Sequence, residues 1–144
     1  MQYDVVTNVD NYVLDSDPGP FSKNNGFVYN LELDGVFYKG FEVLDKNCNK
    51  AGIAHGGTLI SFADGIMGYT AWKKNNFPCL TAKLNANFVA PAVKGSWVYG
   101  FAEITKTTKS IVFIKCQLFI DKSIILAADG LLKMIEDKGK EDPS

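Results

Sequence analysis

Residues 49–72 read NKAGIAHGGTLISFADGIMGYTAW. From Thr58 to Trp72 this stretch holds one charged residue, Asp64, among Leu59, Ile60, Phe62, Ala63, Ile66, Met67 and Ala71. Apolar side chains fall on nearly every face of a helix with about 3.6 residues per turn. The stretch therefore reads as a helix over residues 56 to about 74, surrounded by other structure. It opens on His55-Gly56-Gly57, where two residues without side chains leave backbone N–H groups uncovered. A carboxylate in such a helix costs free energy unless something nearby requires it. Asp64 is the first candidate for chemistry on that ground.

Working outward, residues 27–33 (FVYNLEL) read as a strand, Asp34-Gly35 as a hairpin turn, and residues 36–44 (VFYKGFEVL) as the returning strand. The first twenty residues are mixed and read as a short helix or loop, closed by a turn at Asp17-Pro18-Gly19-Pro20. Residues 45–54 are mostly polar and read as a loop. After Asn75-Asn76 come four strand candidates, 79–89, 96–105, 110–120 and 124–135. Their short links imply antiparallel neighbours. From Glu136 onward the chain is rich in charge and reads as a frayed tail. No repeat or linker divides the chain, so one domain is expected over residues 1–144. The element order points to an α+β fold, an antiparallel sheet packed on one long buried helix. A single sheet covers such a helix on one side only. Curvature or a second subunit must cover the rest, and long edge strands invite pairing across a two-fold axis.

Composition narrows the function classes. Of the 144 residues 47% are hydrophobic, which suits a packed core, and the 10 Phe and 6 Tyr suit a large sheet. A net charge of −1 gives no field to attract nucleic acid or an anionic membrane, so neither partner is expected. All 15 basic residues are lysine; a phosphate partner must be held by Lys or backbone N–H groups, without guanidinium forks. Cys48, Cys79 and Cys116 form no C-x-x-C pair, so neither a zinc site nor a redox motif is suggested. Cys116 falls in a strand alternation and reads as core filling. Met1-Gln2-Tyr3-Asp4 lacks the regions of a signal peptide and no apolar run reaches transmembrane length, so the expected location is cytoplasmic.

Asn49-x-x-Gly52-x-x-His55-Gly56-Gly57, with Asp64 seven residues after the second glycine of the pair, resembles the signature of the hotdog-fold thioesterase superfamily. The resemblance is closest to its PaaI-like acyl-CoA thioesterase branch, and it implies the hotdog fold, a curved antiparallel sheet wrapped around one long buried helix. Gly19-Pro20-Phe21, Asn25-Gly26 and the segment from Thr81 to Phe88-Val89-Ala90-Pro91 are similar to that branch too, so the likeness covers most of the chain.

The residue types suit the chemistry. A thioester carbonyl needs donors aimed at its developing oxyanion, and a Gly pair opening a helix offers N–H groups at the positive end of the dipole. The resemblance implies Gly56 N–H as that donor, with Gly57 as second choice. Asp64 is the local candidate for general base, or for direct nucleophile through an anhydride. By family offset, Thr81 stands where a polar residue, often Ser, holds the water. Asn49 resembles the residue that orients thioester or water, and His55 the one that shapes the turn. Lys83, Lys106 and Lys109 are candidate holders of CoA phosphates. No metal or redox cofactor is implied, CoA being part of the substrate.

Spacing adds that His55 and Asp64, nine residues apart, fall on roughly opposite faces of a helix. One chain does not easily bring Asp64 to a carbonyl held at its own Gly56. Two antiparallel helices across a dimer axis do, joining Asn49, His55 and Gly56 of one subunit to Asp64 and Thr81 of the other. The resembling family builds its sites this way, and the expected assembly of this chain is a homodimer, with two dimers joined in a homotetramer. The expected function is hydrolysis of an acyl-CoA. The rivals are an acyl-CoA-binding hotdog protein without turnover and a thioesterase acting on acyl-carrier-protein.

The bland readings stand beside these. Asp64 as a structural acid, Gly52, Gly56 and Gly57 as turn residues, Asn49 as a loop cap and Thr81 as an ordinary strand residue each suffice singly. Their combination at these offsets is what favours chemistry.

Overall fold

The structure, a computed structural model, describes residues 1–135. The expected charged tail lies outside the described residues. The chain opens with one helical turn, α1 (Tyr3–Val6), a 3-10 turn at Val9–Asn11 and a two-residue strand, β1 (Val13–Leu14). Helix α2 (Pro20–Asn25) starts on proline, whose missing N–H would have no helical partner there, and stops at Gly26 with φ 79°. The sequence reading misses α2, because six residues carry too little periodicity to mark a helix. Strands β2 (Tyr29–Leu33) and β3 (Val36–Glu42) form the expected hairpin. Asp34 and Gly35 both take positive φ, 53° and 79°, as its two-residue turn demands. Helix α3 (Gly56–Asn75) ends at Asn76, whose left-handed backbone (φ 60°) lets its N–H donate to the Trp72 carbonyl. Strands β4 (Cys79–Phe88), β5 (Trp97–Thr107), β6 (Ile111–Ile120) and β7 (Ser123–Met134) follow, within a few residues of expectation.

The seven strands make one antiparallel sheet in the order β1-β2-β3-β5-β6-β7-β4. After α3 crosses the inner face, β4 lands at the far edge, where among the described residues it pairs only with β7. Bulges at Thr81/Lys83, Ile104/Lys106 and Leu118/Phe119 bend the sheet around the helix.

Phe62, Ala63, Ile66, Met67 and Ala71 of α3 are buried against inner-face residues such as Val98, Ile114, Leu118 and Leu132. Two glycines set the closeness of that seat. A Cβ on Gly100 would stand 2.5 Å from the Gln117 carbonyl oxygen and 3.2 Å from Ile66 Cδ1. One on Gly130 would stand 3.0 Å from the Lys83 carbonyl oxygen and 3.4 Å from Met67 Cε. The opposite side of α3 is left uncovered by the sheet, as expected of a single sheet packed on one helix. Ile60, Ser61, Asp64 and Gly65 are only half-buried in a single chain, because one sheet covers one side.

The outer face carries a second apolar cluster of Val6, Tyr12, Tyr38, Tyr99 and Phe119 under the N-terminal segment. Tyr12 Oη (2.8 Å) and Trp97 Nε1 (3.4 Å) both donate to the Val6 carbonyl, and Tyr99 Oη donates to the Asp121 carbonyl. Burial pushes the Tyr12, Tyr38 and Tyr99 phenols up from their ordinary range.

Candidate functional site

The loop before α3 is held by a residue that the sequence reading does not single out. Asn47 is 1% exposed. Its Oδ1 accepts from the Leu44 N–H (2.9 Å) and its Nδ2 donates to the Asn25 carbonyl (3.3 Å). Its own carbonyl accepts from the His55 N–H (2.8 Å) and from Thr58 Oγ1 (3.3 Å). These bonds tie the start of α3 to the end of α2. An Asn in a polar loop carries no periodic signal, so only tertiary burial reveals it.

His55 is the N-cap of α3, and its Nδ1 accepts from the Gly57 N–H at 3.0 Å. That bond takes up the second-choice oxyanion donor. It leaves the Gly56 N–H without an acceptor among the described residues, at the positive end of a 20-residue helix. Asn49 closes a local turn, its Oδ1 accepting from the N–H groups of Ala51 (2.9 Å) and Ile53 (3.4 Å). The Asn49 side chain is exposed, and its Nδ2 has no acceptor among the described residues. The Phe88 ring leans on the same corner: a Cβ on Gly56 would lie 3.2 Å from Phe88 Cζ.

The acid stands further along α3. Thr81 Oγ1 donates to Asp64 Oδ1 at 2.5 Å, the short length of a charge-assisted bond. Thr81 reaches this face because of the β4 bulge. Leu84 and Ala86 point to the helix, so simple alternation would turn Thr81 outward. The extra residue, Ala82, restores the inward direction: Thr81 pairs with buried Leu132, whereas Lys83 pairs with Leu131 on the other face.

Gly56 and Asp64 are eight residues apart, about 12 Å along the helix. One chain thus holds the candidate residues in two separate groups: Asn49, His55 and Gly56 beside Phe88, and Asp64 with Thr81. The three lysines do not gather with either. Lys83 and Lys106 lie on the outer face, in register with Leu131 and Phe113, and Lys109 sits in the turn between β5 and β6. Cys116 is core filling, and burial pushes its thiol up. The Cys48 thiol donates to the Leu44 carbonyl (3.4 Å). Among the described residues no helix is long and apolar enough to cross a membrane.

Residues 51–127 match the model of the Thioesterase superfamily. A candidate esterase of Pseudomonas aeruginosa is 27% identical over 92 residues, covering 62% of this chain and 69% of its own. Among solved structures, a Bacillus halodurans protein with CoA superposes with a TM-score of 0.75 at 17% identity, over 82% of this chain and 80% of its own. The E. coli PaaI protein from the phenylacetic acid degradation operon superposes with a TM-score of 0.73 at 18% identity, over 80% and 83%. These likenesses extend to the fold: a curved antiparallel sheet with a long helix packed against it.

Proposed function

Since the chain belongs to the thioesterase superfamily, we propose that it hydrolyses an acyl-CoA to the free acid and CoA, in a site shared by two copies of the chain. The observation that carries this reading is the Asp64–Thr81 pair on the helix that begins with the unengaged Gly56 N–H.

The thioester oxygen accepts from the Gly56 N–H, which favours the negative charge that grows there during attack. Asn49 Nδ2 and the His55 cap keep the group in line. Thr81 spends its proton on Asp64, so its oxygen accepts from a water that Asp64 deprotonates as general base. Hydroxide adds to the carbonyl carbon, the C–S bond breaks with its electron pair going to sulfur, and the proton that Asp64 took from the water passes to that sulfur. Direct attack by Asp64 through an anhydride is the second route; it would carry solvent oxygen label into the Asp64 carboxylate after multiple turnovers.

The two half-sites imply a particular dimer. Gly56 travels with Phe88, and Asp64 travels with Thr81. Antiparallel pairing of the free β4 edges about a two-fold axis near Leu84 and Asn85 sets Phe88 opposite the partner's Thr81, and so Gly56 near the partner's Asp64. Pairing of two such dimers gives the expected homotetramer. The CoA-bound Bacillus halodurans structure of the same fold supports the choice of thiol, and the operon of the E. coli relative makes aromatic esters worth testing.

The test is free-thiol release from acetyl-, hexanoyl-, palmitoyl-, phenylacetyl- and hydroxybenzoyl-CoA by wild type and Asp64→Ala. Turnover that collapses in the variant supports the reading. No release from any ester, with ester binding retained, would replace it with a binding protein or a carrier-protein substrate. Ultracentrifugation reports the dimer and tetramer.

A further inference from the structure

We propose that Asn47 is a positioning residue for the oxyanion donor: through its carbonyl it holds His55, and with it the Gly56 N–H, at the angle that a developing oxyanion requires. The inference rests on the thioesterase reading and deepens it by adding a residue that acts without touching the substrate. Asn47 is 1% exposed within a single chain, so its burial owes nothing to a partner copy. A buried amide is costly unless its polar atoms are paired, and here each pairing sets a direction. Nδ2 donates to the Asn25 carbonyl (3.3 Å) at the end of α2. That end is firm: Gly26 turns the chain with φ 79°, and the buried Phe27 ring packs against Phe41 (4.8 Å between ring centres) and against Phe62 of α3 (5.0 Å). Oδ1 accepts from the Leu44 N–H (2.9 Å), which closes the 3-10 turn at Asp45–Asn47 from the other side. The side chain thus fixes the Asn47 backbone from two directions.

The Asn47 carbonyl carries that constraint to the donor. It accepts from the His55 N–H (2.8 Å) and from Thr58 Oγ1 in the first turn of α3 (3.3 Å). The His55 carbonyl in turn accepts from the N–H groups of Thr58 (2.9 Å) and Leu59 (3.3 Å). The His55 carbonyl and the Gly56 N–H belong to one planar trans peptide, so they point in opposite directions. With the carbonyl bonded into the helix and the His55 N–H bonded to Asn47, both sides of the His55 Cα are held. The Gly56 N–H is thereby aimed out of the helix start. Oxyanion stabilisation depends on donors set in place before charge develops, and a misplacement of about 1 Å costs about a hundredfold in rate.

The test measures kcat, KM and melting temperature for wild type, Asn47→Ala, Thr58→Val and the double variant, with the ester of the panel that wild type turns over fastest. Assays run well below every melting temperature. Asn47→Ala should lower kcat about tenfold, less than the loss of a whole oxyanion donor, with KM within about twofold. Thr58→Val keeps the shape of the side chain and removes one bond to the same carbonyl, so kcat should fall about threefold. The double variant should be no slower than Asn47→Ala alone, because both changes act through one carbonyl. The Gly56 amide resonance of the free protein should move in each variant. A merely structural role would lower the melting temperature and leave kcat and that resonance in place. If Asn47→Ala does not fold, Thr58→Val and its Gly56 resonance decide. Unchanged kcat with the fold intact, losses that multiply in the double variant, or a rise in KM in place of a fall in kcat overturns the inference and leaves the thioesterase reading standing. No thiol release by wild type from any ester overturns that reading, and the inference with it.

Discussion

Replacing Gly100 with alanine introduces one methyl group where helix and sheet are closest. Its carbon would stand 2.5 Å from the Gln117 carbonyl oxygen, 2.5 Å from Leu118 Cδ2 and 3.2 Å from Ile66 Cδ1. The Leu118 tip can swing away, but the Gln117 oxygen belongs to the backbone of β6, which pairs with β5 at this position. Ordinary contact therefore requires β6 or the methyl to move by about 1 Å, and overpacking of this kind costs about 3 kcal/mol. Alanine recovers about 1 kcal/mol over glycine in a strand, through the entropy of the unfolded chain. The net loss is about 2 kcal/mol, which lowers the melting temperature of a domain this size by about 6 °C. Differential scanning calorimetry measures it. A melt within about 1 °C of wild type would refute the claim that Gly100 sets the helix seat. Hydrolysis should fall too, because Ile66 lies two residues from Asp64 and a displaced helix lengthens the 2.5 Å bond to Thr81.

Thr81→Val should lower kcat about tenfold, the value of one hydrogen bond to a charged group, and the double variant with Asp64→Ala should be no slower than Asp64→Ala alone, measured by thiol release. Gly65→Ala adds a Cβ with nothing within 4 Å in one chain, so helix propensity should raise the melting temperature by about 3 °C; a lower value with loss of dimer would show that a partner covers this face. The outer-face phenols predict an alkaline limit. Tyr12, Tyr38 and Tyr99 have folded pKa values raised by burial. Their contribution is whole below the unfolded value of about 10 and drains away as pH rises towards the folded values. Melting temperature should hold up to about pH 10 and then decline, with the share of phenolate absorbance due to Tyr12, Tyr38 and Tyr99 appearing as the chain unfolds. Tyr12→Phe with Tyr99→Phe should flatten the decline.

What could be read in advance follows from how local each signal is. The Asp34-Gly35 hairpin and the glycine-marked start of α3 depend on backbone preferences of the residues themselves, and both stand where expected. The strands after Asn76 were legible from alternation, with ends displaced by only a few residues. Asn47 was not legible, because its importance comes from burial between two segments far apart in sequence. The use of the Gly57 N–H by the His55 ring depends on a side-chain rotamer. Thr81 came only from family offset; alternation counted back from Leu84 assigns it to the wrong face, since a bulge is decided by the partner strand. The scattering of Lys83, Lys106 and Lys109 follows from the same dependence on register.

The bulge in β4 separates counting from direction, and this bears on moving the site elsewhere. In a regular strand the residue facing Asp64 would be Ala82, a methyl in place of a hydroxyl. Transplanting the residues of β4 onto an unbulged strand would carry the same letters and lose the pair. Deleting Ala82 from such a graft would bring it back, since Thr81 would then sit an even step from Leu84. The transferable unit is therefore a hydroxyl at the right parity relative to the helix, and a graft is judged by where that hydroxyl points rather than by how closely its sequence copies this one.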